Sequence, residues 1–256
     1  MHIHIEKNKE ELGRKASTIG AEAIKKAISE NGIANIILAT GASQFEMLHE
    51  LSKETDINWS KVNGFHLDEY IGIPISHPAS FRLYLWKRFI SQLPTPINSF
   101  HFINTEEDPQ EECEKIGKLI SSLIIDVAFI GIGENAHVAF NDPPADFKIN
   151  APYIIVNLDD DCRNQQLGEG WFKTIEEVPK QAVSMSVTQI MKSQKIICSV
   201  PDERKANAVK NSLTPPVTPN YPASILNEHK DCHLFLDKQS SSLLNNEFNT
   251  KCIIKR

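Results

Sequence analysis

A chain of 256 residues, 41% hydrophobic and 23% charged, has an ordinary globular balance and is long enough to bury a full core. Its formal charge of −6 comes from 33 acids and 27 bases without a long run of either sign, which argues against nucleic acid as the main partner. No apolar run approaches the roughly 18 residues that a membrane span needs. The five cysteines (Cys113, Cys162, Cys198, Cys232, Cys252) are scattered and never spaced as CxxC, a pattern that suits reduced thiols in a cytoplasm and offers neither a disulfide framework nor a zinc site.

The start, Met1-His2-Ile3-His4-Ile5, reads as a strand and lacks the regions of a signal peptide. An amphipathic stretch from about Glu10 to Ser29 then runs to Asn31-Gly32, a helix-stop signal. Ile36 to Ala39 is a short buried strand, followed by Thr40-Gly41-Ala42-Ser43 and a helical pattern through Leu51. Val62 to Leu67 is strand-like, Phe81 to Ile90 helical, Phe100 to Ile103 strand-like, and Pro109 to Ser121 a Glu- and Lys-rich helix. The apolar run Ile124 to Ile130 reads as a buried strand. Further strands are expected at 153–156, 182–187, 196–200 and 233–236, with helices near 188–193 and 202–212 and a loop over Thr214 to Pro222. This alternation implies βαβ crossovers: one α/β domain over 1–256, with a doubly wound, Rossmann-like, mostly parallel sheet and helices on both faces.

Chemistry-bearing residues recur where such strands end. Open parallel sheets bind ligands at the carboxyl ends of their strands. Gly131-Ile132-Gly133-Glu134-Asn135-Ala136-His137-Val138-Ala139-Phe140-Asn141-Asp142-Pro143 follows one strand and gathers two amides, an imidazole and a carboxylate. That density of proton-handling groups is costly for packing alone, although a lone loop His is often only a surface group. Leu38-Ala39-Thr40-Gly41-Ala42-Ser43 passes from strand through turn to helix and offers amides and hydroxyls as an anion cradle, or simply Ser43 as an N-cap. No GK[ST] follows, which speaks against a nucleoside triphosphate. Phe65-His66-Leu67-Asp68-Glu69-Tyr70 places adjacent acids at a strand end, where one can serve as base and the other as a structural group. Pro201-Asp202-Glu203-Arg204-Lys205 starts a helix with a Lys that can point at a phosphate.

The motifs LATGAS, FHLDEYIGIPISHPASF, GIGENAHVAFNDP, the helix-starting Lys after ICSVP, and Pro222-Ala223-Ser224-Ile225-Leu226 occur here in the order found in glucosamine-6-phosphate deaminases/isomerases, and the chain resembles that family from about residue 35 to 236. The wider superfamily includes 6-phosphogluconolactonases and sugar-phosphate sensors. The resemblance implies conversion of glucosamine 6-phosphate and water to fructose 6-phosphate and ammonia. It makes Asp68 the base that moves a proton between C2 and C1, and His137 the ring-opening acid/base with Asn135 and Asp142 orienting it. It assigns Thr40, Gly41, Ser43 and Lys205 to the phosphate, and it implies no metal or organic cofactor. The expected partner is a small sugar phosphate, with neither nucleic acid nor membrane; the family spans monomers and hexamers, so a homo-oligomer is compatible with it.

Several departures stand out. Asn135 is an amide where members carry Asp or Asn, and Asp142 is one methylene shorter than the Glu of many. Many members also place a phosphate-binding Arg near an aromatic pair, where this chain reads Asp161-Cys162-Arg163-Asn164-Gln165-Gln166-Leu167-Gly168-Glu169-Gly170-Trp171-Phe172, with Gly170 in that Arg's place. Arg163 substitutes only if a local helix turns it inward. The stretch Ala151 to Ile155 lacks the basic residues of the family's allosteric phosphate site, so N-acetylglucosamine 6-phosphate is expected not to activate. Competing readings are a galactosamine-6-phosphate isomerase, a 6-phosphogluconolactonase, or a non-catalytic sugar-phosphate-binding protein. Phe140-Asn141-Asp142-Pro143 and Asp68-Glu69-Tyr70 favour the deaminase over the lactonase.

Overall fold

The apolar runs become strands and the amphipathic stretches become helices, in a computed structural model that describes residues 1–244 and the backbone of 253–255. In chain order the first half holds β1 (His2–Glu6), α1 (Lys9–Asn31), β2 (Ala34–Leu38), α2 (Phe45–Ser52), β3 (Val62–His66), β4 (Asp68–Tyr70), α3 (Phe81–Arg88), β5 (Ser99–His101), α4 (Pro109–Ser121) and β6 (Val127–Ile130). The second half holds β7 (Tyr153–Asn157), α5 (Asp160–Gly168), β8 (Gln181–Met185), α6 (Val187–Ile190), β9 (Lys195–Val200), α7 (Ala206–Leu213), β10 (Cys232–Asp237) and β11 (Ile253–Lys255). Local chemistry sets the helix ends. Asn8 caps α1 through Glu11 N at 2.9 Å, and Gly32, at φ 76°, closes it in the left-handed region that a side chain disfavours. Asp108 and Pro109 start α4 in the same way.

Eight strands form one parallel sheet in the order β11-β1-β10-β9-β6-β2-β3-β5. Its central strands are buried on both faces, as parallel strands require. Ile36, Leu38 and Phe129 pack against Leu12 and Ile24 of α1, Met47 and Leu51 of α2 and Leu85 of α3. Ile37, Ile130 and Cys198 point the other way, against Ile116 and Ile120 of α4 and Val209 and Leu213 of α7. The doubly wound, Rossmann-like α/β architecture is therefore present. From β2 the strand order runs through β3 to β5; from β6 it runs through β9 to β10. The order reverses between β2 and β6, and the crevice beyond their carboxyl ends is where such a sheet holds a ligand.

Two expected strands sit elsewhere. β7 and β8 join β4 in a separate antiparallel sheet, β4-β8-β7, with Asp68 opposite Ser184 and Ile155 opposite Val183. The reason is visible in β7, where buried Tyr153 is followed by alternating partly buried and exposed residues. One wet face suits an antiparallel ribbon, whereas a parallel central strand is covered on both sides. Asp68 thus opens β4 instead of closing β3. The run from Ile124 enters its strand only at Val127, because Ile124 itself is exposed.

Candidate active site

A cavity of about 360 Å³ lies at the switch point, lined by the segments after β2, β3, β6 and β9 and, from the opposite side, by Gln165, Gln166 and Glu169 around the end of α5. Every residue expected to touch a ligand directly is on that wall: Thr40, Gly41, Ser43, Asp68, His137 and Lys205.

Asp68 and Glu69 are neighbours with opposite fates. Glu69 is fully buried and saturated: its carboxylate accepts from Ser80 Oγ at 2.8 Å, Phe81 N at 3.1 Å, Arg82 N at 2.9 Å, Tyr70 N at 3.0 Å and Arg82 Nε at 3.0 Å. An anion at the start of α3 also meets the positive end of the helix dipole. Asp68 is buried against the cavity, and no hydrogen bond to its carboxylate occurs among the described residues. Burial, with a smaller push from the Glu69 charge, raises its pKa to about 8. The acid pair splits into one structural anion and one group able to exchange a proton near neutral pH. His66, just before them, is also structural: burial lowers its pKa to about 3, and its neutral Nε2 accepts from Ile103 N at 2.8 Å.

The loop after β6 is shaped around His137. Gly133 N donates to His137 O at 2.9 Å, Ala136 N donates to Gly133 O at 3.0 Å, and Ala136 sits at φ 69°. The imidazole folds back over Gly133 so closely that a Cβ there would lie 2.2 Å from Nε2. Glycine is required at that point by the ring itself. Asn135 has two duties: its Oδ1 accepts from His137 N at 3.0 Å, and its Nδ2 donates to Asp142 Oδ1 at 3.1 Å. His137 Nδ1 lies 3.0 Å from the same Asp142 oxygen, off the line of a straight hydrogen bond. Asp159 N donates to the other oxygen at 3.3 Å. Burial opposes ionisation of Asp142, but the contacts with His137, Asn135 and Asp159 N outweigh it and hold the carboxyl below the usual range. His137, Asn135 and Asp142 form one hydrogen-bonded unit that fixes the ring with one nitrogen towards the carboxylate.

At the far end, Gly41, at φ 91°, turns the chain into a short helical turn ahead of α2. Gln44 N is the first donor of that turn, to Gly41 O at 3.2 Å, so the amides of Ala42 and Ser43 precede it, and both residues line the cavity. Tyr84 Oη steadies the turn on Gly41 O at 2.8 Å, and Gln44 Nε2 ties Ser43 Oγ, Ile130 O and Ser199 O together at 3.0, 3.2 and 3.4 Å. Lys205 comes in from the turn before α7, buried, and its pKa is lowered by burial against opposing pulls from Glu169 and Glu134. Arg204 also lines this end but pairs with Glu134 at 3.5 Å and Asp202 at 3.3 Å.

The hydrophilic segment 159–172 carries what sequence reading left unplaced. Asp159 caps α5 through Cys162 N at 2.6 Å. Arg163 turns away from the cavity, donating to Ile175 O at 2.6 Å and Val178 O at 3.3 Å, so it does not replace the absent Arg. Gln166 enters the cavity wall, where its Oε1 accepts from Tyr70 Oη at 2.6 Å. Glu169 is a cavity residue that the sequence did not single out, whereas the Gln165-Gln166 region stood out only by its departure from the commoner pattern. His137, Asp142 and Cys162 also hold donor atoms within 4.8 Å of one another, but His137 and Asp142 face each other and burial holds the Cys162 thiol protonated.

A reversal-point cavity that gathers Thr40, Gly41, Ser43 and Lys205 with Asp68 and His137 is the candidate site of an α/β enzyme. The chain belongs to the glucosamine-6-phosphate isomerase/6-phosphogluconolactonase family, whose model matches residues 7–235. A glucosamine-6-phosphate deaminase of Thermoanaerobacter sp. (strain X514) is 34% identical over 252 residues, 96% of each chain. One of Oenococcus oeni is 34% identical over 244 residues, covering 95% of this chain and 99% of the relative. The solved structure of a monomeric glucosamine-6-phosphate deaminase superposes with a TM-score of 0.85 at 29% identity, covering 95% of this chain and 100% of that one. The 6-phosphogluconolactonase of Trypanosoma brucei, at TM-score 0.79 and 17% identity over 95% of this chain and 98% of that one, shares the fold.

Proposed function

We propose that this protein converts glucosamine 6-phosphate and water to fructose 6-phosphate and ammonia. The observation that carries the reading is Asp68: a buried carboxyl without a hydrogen-bond partner among the described residues, its pKa raised to about 8, in one cavity with the His137–Asp142 pair and the Gly41/Lys205 cradle. The cradle takes the phosphate, and that remote binding energy orients the reacting carbons. His137, held by Asp142 and Asn135, exchanges the proton that opens the pyranose ring. Asp68, ionised, takes the C2 proton of the open-chain amino sugar and returns a proton to C1. The C2 imine so formed adds water and releases ammonia, with the sugar's own carbonyl as the electron sink.

The cradle and the base support a sugar 6-phosphate with a transferable C2 proton, and the likeness to glucosamine-6-phosphate deaminases supports the amino sugar; the epimer is set by contacts of the Gln165–Gln166 wall. We read the chain as one domain acting in the cytoplasm. The thiols of Cys113, Cys162, Cys198 and Cys232 are free and buried, and no described helix is long and apolar enough to cross a membrane. The test is ammonia and ketose release from glucosamine 6-phosphate and galactosamine 6-phosphate in parallel, with Asp68→Asn as control. Release from neither sugar, with 6-phosphogluconolactone consumed instead, would replace the reading.

A further inference from the structure

The cradle end of the cavity holds an acid where an anion is expected to bind. Glu169 follows α5, and its Oε2 lies 3.9 Å from the position a Cβ on Gly41 would take, beside the Gly41-Ala42-Ser43 turn that lines the same cavity. It is held there on both sides. Gln165 Nε2 donates to Oε1 at 3.0 Å, and Trp171 Nε1 donates to Oε2 at 3.2 Å. Gln165 is itself fixed by Glu134 N, which donates to its Oε1 at 2.9 Å.

The cations at this end are already distributed. Lys9 pairs with Glu46 at 3.1 Å, and Arg204 pairs with Glu134 and Asp202. Lys205 is different: among the described residues no carboxylate comes within ion-pair distance, and Glu169 is the strongest charge favouring its ammonium form. A buried ammonium without an anion nearby is costly. Glu169 therefore does for Lys205 in the free protein what a ligand's phosphate would do in the complex, and the two anions cannot share the space over Gly41 without strong repulsion.

We propose that Glu169 is a built-in competitor of the ligand's phosphate: its carboxylate balances Lys205 across the Gly41 cradle and has to withdraw when a phosphate monoester binds. This rests on the Gly41/Lys205 end being the phosphate end. The acid sets a threshold for entry, because only a group able to supply two negative charges to Lys205 and the turn amides displaces it. Neutral sugars and singly charged sugar acids are left outside. The absent Arg at Gly170 is then not replaced by another cation: phosphate affinity is deliberately held down and recovered on displacement of Glu169.

The test is calorimetric titration of inorganic phosphate into the full chain as wild type, Glu169→Gln, Lys205→Met and Glu22→Gln, the last an exposed position on α1 that controls for net charge. Gln keeps the size of Glu169 and, through its one carbonyl oxygen, one of the two hydrogen bonds donated by Gln165 and Trp171, and thermal melts of each variant report folding. Removing a like charge at this range is expected to tighten phosphate by about tenfold. Lys205→Met should weaken it by at least about tenfold, and Glu22→Gln should leave it unchanged. Unchanged or weaker binding by folded Glu169→Gln, with Lys205→Met still weakened, overturns the role of Glu169 alone. Binding by Lys205→Met equal to wild type overturns the phosphate reading of the cradle, and this proposal with it.

Discussion

Replacing Asp68 by Asn separates stability from chemistry. The carboxyl is buried, and its pKa stands at about 8 against 3.8 in the unfolded chain. At about 1.4 kcal/mol for each pH unit, keeping it protonated at pH 7, where the unfolded carboxyl has ionised, costs at most about 4 kcal/mol. Cavity water lowers that cost, and the amide introduced by Asn has only water to bond, so a net gain of about 2 kcal/mol is expected. The sign follows from proton binding. Between pH 4 and pH 8 the folded protein holds a proton on Asp68 that the unfolded chain has lost, so wild-type stability falls as pH rises through this window. Asp68→Asn should melt with wild type near pH 4 and about 4–8 °C above it at pH 8. The same variant should lose about 10²–10⁴-fold in turnover, and wild-type kcat/KM should rise with pH to a plateau above about 8. Melting curves from pH 4 to 9 alongside initial rates are the assay. A melting difference independent of pH, or a variant less stable than wild type at pH 8, would refute the reasoning.

Other consequences are equally checkable. Glu69→Ala leaves Arg82 Nε and the Ser80 Oγ, Phe81 N and Arg82 N donors without their acceptor, with Arg82 Nη1 still on Glu106, and should cost about 3 kcal/mol in urea unfolding. Gly133→Ala forces His137 off its seat; steady-state kinetics should show at least about a hundredfold loss in kcat/KM with an unchanged circular-dichroism spectrum. Asp142→Asn removes the carboxylate that fixes His137 and should lower kcat/KM by about 10–100-fold, and stopped-flow assays should place the loss in ring opening. N-acetylglucosamine 6-phosphate, titrated into a rate assay, should leave the substrate curve unchanged in shape, since residues 151–155 carry no basic side chain.

The parallel sheet was legible because its signals are local. Runs such as Ile36–Leu38 and the Asp108-Pro109 start of α4 carry strand and helix information in a few adjacent residues. The candidate residues after β2, β3, β6 and β9 could be named for the same reason: each follows an apolar strand, and the fold brings strand ends together around one cavity. What the sequence hid depends on distant partners. Assigning β7 and β8 to a second sheet needs their pairing with β4, since alternating burial in so short a run does not name its neighbour. The division of labour between Asp68 and Glu69 needs the start of α3, more than ten residues away, to be folded beneath Glu69. The segment 159–172 is mostly polar, with only Cys162 and Leu167 apolar within α5, so periodicity gave α5 no signature, and only three-dimensional placement turns Arg163 onto Ile175 O and brings Glu169 beside Gly41.

The central claim is that Asp68 breaks a C–H bond at C2 of an amino-sugar 6-phosphate. Glucosamine 6-phosphate deuterated at C2 tests it most directly, with the label located by NMR after turnover. Deuterium is expected to leave C2, appearing at C1 of fructose 6-phosphate or in water, with a slowed rate for the labelled sugar and little turnover by Asp68→Asn. A turned-over product that keeps its deuterium at C2 would contradict it.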